Sequence, residues 1–180
     1  MHEEVKEKPL QARILKGVII IEGDNAKELH EQGYYGELVD DNKVLLSPLE
    51  ALYLLERGKI EVIDEQGNKI SFYKLLHYFT EKFPSLMSNY IVYRDLRSRG
   101  YIVRAGIEGI AEFRLYERGS KGKDKVAKYL VKTMCEGLSL SLFELDKLSS
   151  VTRNLGKELI LAIVDRQGDT TYYKVSRVEL

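Results

Sequence analysis

The stretch SPLEALYLLERGKIEVI, residues 47–63, carries the punctuation of a helix followed by a strand. Ser47 can cap the first open backbone N–H groups, and Pro48 has no N–H to satisfy, which suits the first helical position. Leu49, Leu52 and Tyr53 recur at helical spacing, and Gly58 ends a helix predicted over 48–57. Ile60-Glu61-Val62-Ile63 then reads as a strand.

The flanking segments repeat this mixture. Val18 to Ile21 is a β-branched run predicted as a strand, and Asp24 is placed to cap a helix over 25–32. Gly33-Tyr34-Tyr35-Gly36 reads as a turn, and 39–46 as a hairpin about Asp41-Asn42. After the turn Gln66-Gly67-Asn68, Ser71 opens a helix with Leu75, Leu76, Tyr78 and Phe79 as its apolar stripe. Residues 84–89 mark a boundary. Beyond it the pattern predicts a helix over 89–100, with Tyr90, Val92, Tyr93 and Leu96 inward and Gly100 as its stop. Strands follow at 101–104 and 112–116 around a turn at 106–109, then a polar loop over 117–125 and a strand over 126–133. A helix over 141–155, an apolar strand over 158–164 and a strand over 170–175 complete the chain. The reading is two α/β domains, 1–84 and 85–180, each about 90 residues.

A chain of 180 residues with 44% hydrophobic side chains has enough core to fold without staples. The single Cys135 excludes a disulfide framework and any CxxC metal site, and reads as a lone thiol. No apolar run is long enough to span a membrane. Residues 1–12 are charged and include Pro9, so a secretory signal is not expected and a cytoplasmic location is. Lys plus Arg and Asp plus Glu both total 28, but the balance is uneven. Residues 1–89 carry 11 basic and 16 acidic side chains; residues 90–132 carry 11 and 5. The middle block is where a polyanion would bind, although a solvated helix face has a similar composition.

The three histidines, His2, His30 and His77, all precede the boundary. No HExxH, GxSxG or P-loop motif occurs, and Gly17 and Gly23 make no dinucleotide fingerprint. Of 12 tyrosines, Tyr116 stands out, because it ends a strand and opens the basic loop Arg118-Gly119-Ser120-Lys121-Gly122-Lys123. A tyrosine among cations loses its proton more easily and can serve as a base; an amphipathic strand-end tyrosine is the other reading. Lys157, just before the apolar strand, is either a cation for a pentacoordinate phosphate or a solvated gatekeeper.

Four blocks in order resemble the archaeal tRNA-intron splicing endonuclease family: SPLEALYLLERGKIEV (47–62), YIVYRDLRSRGYIVRAG (90–106), FRLYERG (113–119) and ELILAIVDRQGDTTYY (158–173). The resemblance implies an α+β chain, with a small N-terminal α/β domain and a C-terminal nuclease-like domain whose mixed sheet is flanked by helices. It implies cleavage of precursor tRNA at a bulge-helix-bulge, without metal or other cofactor. The ribose 2′-OH attacks the adjacent phosphate, leaving a 2′,3′-cyclic phosphate and a 5′-OH. A tyrosine base, a histidine acid and a lysine cation serve that reaction.

Carried over by position, the tyrosine falls on Tyr116 and the lysine on Lys157. The histidine and the serine after it are replaced by Val126 and Ala127. Glu108 stands for a family lysine, Glu112 for an aspartate, and Ser150 for an arginine that helps hold a bulged base. Valine cannot donate a proton, and a missing general acid costs on the order of 10²–10⁴ in rate. The hairpin 165–169 is similar to the family's acidic loop, which enters a basic pocket of a neighbouring subunit, and 171–175 to the strand by which subunits pair. The resemblance therefore implies Asp165, Asp169, Tyr172 and Tyr173 as interface residues, and RNA contacts from Arg118, Lys121, Lys123 and Lys125.

The leading expectation is a non-catalytic, structural subunit paired with a homologous catalytic chain as a two-plus-two heterotetramer on precursor tRNA. The rival is an active homo-oligomer, a homodimer at least, using Tyr116, Lys157 and a substitute acid such as Lys125 or Lys128, although an ordinary lysine is a poor acid at neutral pH. A third reading is a generic RNA-binding module.

Overall fold

A computed structural model describes residues 8–117 and 126–178. The chain divides into two compact units between Leu86 and Met87.

In the N-terminal unit, Leu10–Leu15 (β1) and Val18–Glu22 (β2) form an antiparallel hairpin. The sequence reading placed one strand here, at 18–21. It missed β1, whose inward residues are only Ala12 and Ile14. Lys16 and Gly17, both at positive φ, make the tight turn between them. Asp24–Gly33 (α1) follows, and here the expected cap is corrected: Gly23 holds the N-cap, and Asp24 lies in the first turn, where its charge suits the positive helix end. Glu37–Asp40 (β3) and Lys43–Leu46 (β4) form the hairpin about Asp41-Asn42.

Pro48–Glu56 (α2) begins as its sequence dictates. Ser47 accepts from the Glu50 N–H, and the Glu50 carboxylate accepts from the Ser47 N–H at 2.9 Å. The same buried carboxylate accepts from the Gly36 N–H at 2.9 Å, tying the turn after α1 to the start of α2. Gly36 is at φ 66, and a Cβ there would collide with Val44 and the Leu45 carbonyl. Ile60–Ile63 (β5), Lys69–Ile70 (β6) and Phe72–Thr80 (α3) complete the unit. The sheet order is β3-β4-β2-β1-β5-β6, with β1 and β5 parallel. Ile19, Ile21, Leu52, Val62, Leu75 and Phe79 fill its core.

The C-terminal unit carries Leu86–Ser98 (α4), Ile102–Ile107 (β7), Ala111–Tyr116 (β8), Tyr129–Cys135 (β9), Leu142–Asn154 (α5), Glu158–Val164 (β10) and Thr170–Val175 (β11). Its sheet order is β11-β10-β9-β8-β7. Only β9 and β10 are parallel, and α5 supplies the crossover that a parallel pair requires. Ser141 and Glu144 form a second capping box at the start of α5. The helix α4 starts at Leu86, three residues before the predicted start. Its Tyr93 ring meets Phe113 at 6.1 Å, which places α4 on the odd-numbered face of β8. The strand predicted over 126–133 starts at Tyr129, because its ladder to β8 begins with the pair Leu115–Tyr129. Val126 therefore lies before the strand.

Candidate active site

Strand register brings three segments to one end of the C-terminal sheet. Leu115 on β8 pairs with Tyr129 on β9, and Tyr129 pairs with Glu158 on β10. One step outward stand Tyr116, Lys128 and Lys157. The Lys128 N–H donates to the Leu115 carbonyl at 3.0 Å, and the Glu158 N–H donates to the Lys128 carbonyl at 3.0 Å. The Lys157 ammonium donates to the Ala127 carbonyl at 2.9 Å. Ala127 and Lys128 thus bridge the end of β8 and the start of β10.

Tyr116 is half-buried, and so is Lys157. Val126, which precedes β9, is 78% exposed. Its isopropyl group has no proton to give. The basic loop residues Arg118, Lys121, Lys123 and Lys125 lie outside the described residues.

Lys128 is held in an ion pair. Its ammonium is 2.6 Å from Glu117. That hydrogen bond, with contributions from Tyr129, pushes its pKa above the ordinary lysine value. It holds its proton more tightly than a free lysine, the wrong direction for a donor at neutral pH.

The departures around the site have structural counterparts. The Glu112 carboxylate accepts from Lys132 Nζ at 2.9 Å and from the Thr133 N–H at 2.7 Å. It carries the β8–β9 connection past the last ladder pair, Phe113–Val131. Glu108 is exposed in the β7–β8 turn, and Ser150 lies on α5. Gly106 is required, since a Cβ there would collide with the Ala111 carbonyl.

The four residues expected at a subunit interface divide into two pairs. Asp165 faces inward: its Oδ1 accepts from the Gln167 and Asp169 N–H groups, both at 2.9 Å, and so holds the β10–β11 turn. The Tyr172 hydroxyl donates to Asp95 Oδ2 at 2.7 Å, and Arg99 Nε donates to the same oxygen at 2.8 Å. Burial, then Asp95, push the Tyr172 phenol well above the usual tyrosine range. Asp169 and Tyr173 are exposed, and among the described residues no side chain pairs with the Asp169 carboxylate. The Tyr172–Asp95 bond was not legible in the sequence. Its only local trace is the helical i, i+4 spacing of Asp95 and Arg99.

A cavity of about 680 Å³ lies elsewhere, in the N-terminal unit, lined by Tyr35, Tyr53 and Arg57 among others, and none of the candidate catalytic residues line it. Among the described residues no helix is long and apolar enough to cross a membrane.

Comparison with known proteins covers both units. Residues 10–76 match the family model described as tRNA intron endonuclease, N-terminal domain. Residues 86–172 match the model described as tRNA intron endonuclease, catalytic C-terminal domain. A protein of Methanothermobacter thermautotrophicus named tRNA-splicing endonuclease is 37% identical over 150 residues, which is 83% of this chain and 86% of that protein. A protein of the same name from Thermococcus gammatolerans is 39% identical over 150 residues, with the same two shares, 83% and 86%. A third, from Methanococcoides burtonii, is 35% identical over 171 residues, 95% of this chain but 47% of that protein.

Proposed function

The chain belongs to the tRNA intron endonuclease family, and from that premise we propose that it is the structural, assembly-supporting subunit of a tRNA-splicing endonuclease. The observation that carries this reading is Val126. It occupies the histidine position of the resemblance, is 78% exposed ahead of β9, and stands next to Ala127, whose carbonyl Lys157 holds.

The chemistry explains why that one change matters. The nucleophile is the RNA's own 2′-OH, so the protein must supply a base, a cation and an acid. Tyr116 stands where the base would act and Lys157 where charge would build on the phosphate. The departing 5′-oxygen needs a proton, and neither Val126 nor Lys128 gives one. A homologous partner with a complete set would cut precursor tRNA at the bulge-helix-bulge, leaving cyclic phosphate and 5′-OH ends without a metal. This chain would hold that partner through Asp169 and the β11 edge in a two-plus-two assembly, in the cytoplasm.

The test is cleavage of a bulge-helix-bulge RNA by the purified chain, with and without a homologue carrying the histidine. No cutting alone and cutting on mixing is the expected result. Robust cutting by this chain alone would overturn it in favour of the active homo-oligomer.

A further inference from the structure

The cavity in the N-terminal unit has a charge balance that its surroundings do not share. Residues 1–89 carry 16 acidic and 11 basic side chains, yet this cavity is lined by three cations, Lys8, Arg57 and Lys59, and one acid, Glu28. Its volume of about 680 Å³ lies within the range of roughly 300–1,000 Å³ that holds small ligands. Leu10 of β1, Leu29 of α1 and the buried Leu54 of α2 give it apolar surface. Two aromatic rings stand beside the cations. Tyr35 and Tyr53 both line the cavity, with ring centres 6.3 Å apart and planes within 28° of parallel. The Tyr35 ring packs so closely on Gly33 that a Cβ there would collide with it. His30 Nδ1 lies 3.0 Å from the Tyr35 carbonyl oxygen, which fixes the backbone as well. The ring is half-buried and held in place before any ligand arrives.

Arg57, at the C-terminal cap of α2, is fixed in a similar way. It is hydrogen-bonded to Tyr53, and its guanidinium carbon lies 5.6 Å from the centre of that ring. That partner is a neutral phenol, and Glu56, the residue before Arg57, acts on it through charge alone. The guanidinium therefore keeps its charge, and it has more donors than one phenol can use. Lys59 has contacts of its own, so an anion here is assigned to Arg57, with Lys8 adding charge. The one acid is tied to its own helix, since Gln32 Nε2 donates to Glu28 at 2.6 Å.

We propose that this cavity binds a nucleoside phosphate, with its base against Tyr35 and its phosphate on Arg57. An aromatic ring accepts the face of any base, and a guanidinium fork matches a phosphate. The same chemistry is offered by a free nucleotide and by an unpaired nucleotide of RNA. In the second case the cavity is an RNA contact of the N-terminal unit, made by residues other than Tyr116 and Lys157, and it rests on the RNA-processing reading above.

The test is calorimetric titration of the full chain with 5′-AMP, ribose 5-phosphate, inorganic phosphate and a single-stranded oligoribonucleotide of mixed sequence. The variants are Arg57→Gln, Tyr35→Leu, Tyr35→Phe and, as a charge control outside the cavity, Lys69→Gln. One 5′-AMP per chain is expected. Arg57→Gln should weaken it roughly tenfold or more, and Lys69→Gln should leave it unchanged. Tyr35→Leu should weaken it roughly tenfold, while Tyr35→Phe, which keeps the ring, should not. Ribose 5-phosphate lacks the base and should bind wild type roughly tenfold more weakly than 5′-AMP, which tests stacking even where Tyr35→Leu does not fold. On a folded Tyr35→Leu that difference should vanish, since base and ring act as one pair. Displacement of 5′-AMP by the oligoribonucleotide would support the site with RNA as its source; 5′-AMP binding that the oligoribonucleotide leaves intact would support it with a free nucleotide. Inorganic phosphate binding as tightly as 5′-AMP would overturn the proposal, and so would no saturable binding of either 5′-AMP or the oligoribonucleotide. Unchanged nucleotide binding by Arg57→Gln with loss of assembly mass would also overturn it, since Arg57 would then meet a partner's carboxylates. Saturable 5′-AMP binding by a chain whose assembly fails to bind precursor tRNA would support the site and overturn the functional reading alone.

Discussion

Lys157 Nζ lies 2.9 Å from the carbonyl oxygen of Ala127, the residue after Val126. The lysine at the mouth of β10 is therefore a tie between β10 and the entry to β9, whatever else it does. This gives Lys157 a structural role that does not depend on catalysis. A hydrogen bond from a charged donor contributes about 1.5–3 kcal/mol when sheltered. At a half-buried site about 1 kcal/mol is the better expectation. Lys157→Met, which keeps the apolar stem, should lower the melting temperature of the isolated chain by about 2–4 °C. A thermal melt checks this, and an unchanged midpoint would leave the lysine no structural role.

Val126 is exposed, so a histidine can be placed there at little cost in stability. Val126→His should raise cleavage of a bulge-helix-bulge RNA by the purified chain on the order of 10²-fold, with cyclic phosphate ends. The added rate should decline as pH rises past about 6.5, where an ordinary imidazole loses the proton it must donate. A folded variant with no gain would place the defect in Glu108 or Ser150 instead.

The two hairpin aspartates should separate in a pair of measurements. Asp165→Ala removes the acceptor of two turn N–H groups and should cost about 1 kcal/mol of stability. Asp169→Ala should leave the melting temperature of the chain unchanged but reduce the mass of the assembly in light scattering. Assembly indifferent to Asp169→Ala would favour a generic RNA-binding module.

Tyr172 gives a prediction at alkaline pH. Its folded pKa is raised above the ordinary value of 10.0, by burial and then by Asp95. The neutral phenol is the form favoured by folding. Its contribution is fully present below about pH 10 and is lost as pH rises toward the folded value. Urea midpoints of wild type should fall above pH 10 more steeply than those of Tyr172→Phe, which has no phenol to titrate. Parallel curves would remove Tyr172 from the alkaline limb.

Elements whose signals are local were legible. Ser47-Pro48 and the turns about Asp41-Asn42 and Gly168 declare themselves within a few residues. β1 did not, since two inward residues make too short an alternation to separate from its flanks. The start of β9 was misplaced because a strand begins where its partner is, and nothing in 126–133 says that β8 supplies the first pair at Leu115. At the candidate site, Tyr116 and Lys157 stand out by their places at strand ends, and Val126 is singled out by the resemblance alone. The bonds that give them their setting join Lys157 to a backbone carbonyl and Lys128 to Glu117, and neither pairing has a sequence pattern. Tyr172 was expected at a subunit interface, and its hydroxyl is bound to an acid 77 residues away.

Those separations bear on the order in which the molecule is made. The β7–β8 hairpin closes over neighbouring residues, so it can form early. The parallel strands β9 and β10 meet only after all of α5 has been laid between them, and the Lys157–Ala127 bond spans 30 residues. The Tyr172–Asp95 bond closes a far larger loop. Contacts of such high order are slow, because chain entropy is lost before any contact is gained. The setting of Tyr116 and Lys157 is thus among the last parts of the C-terminal unit to form.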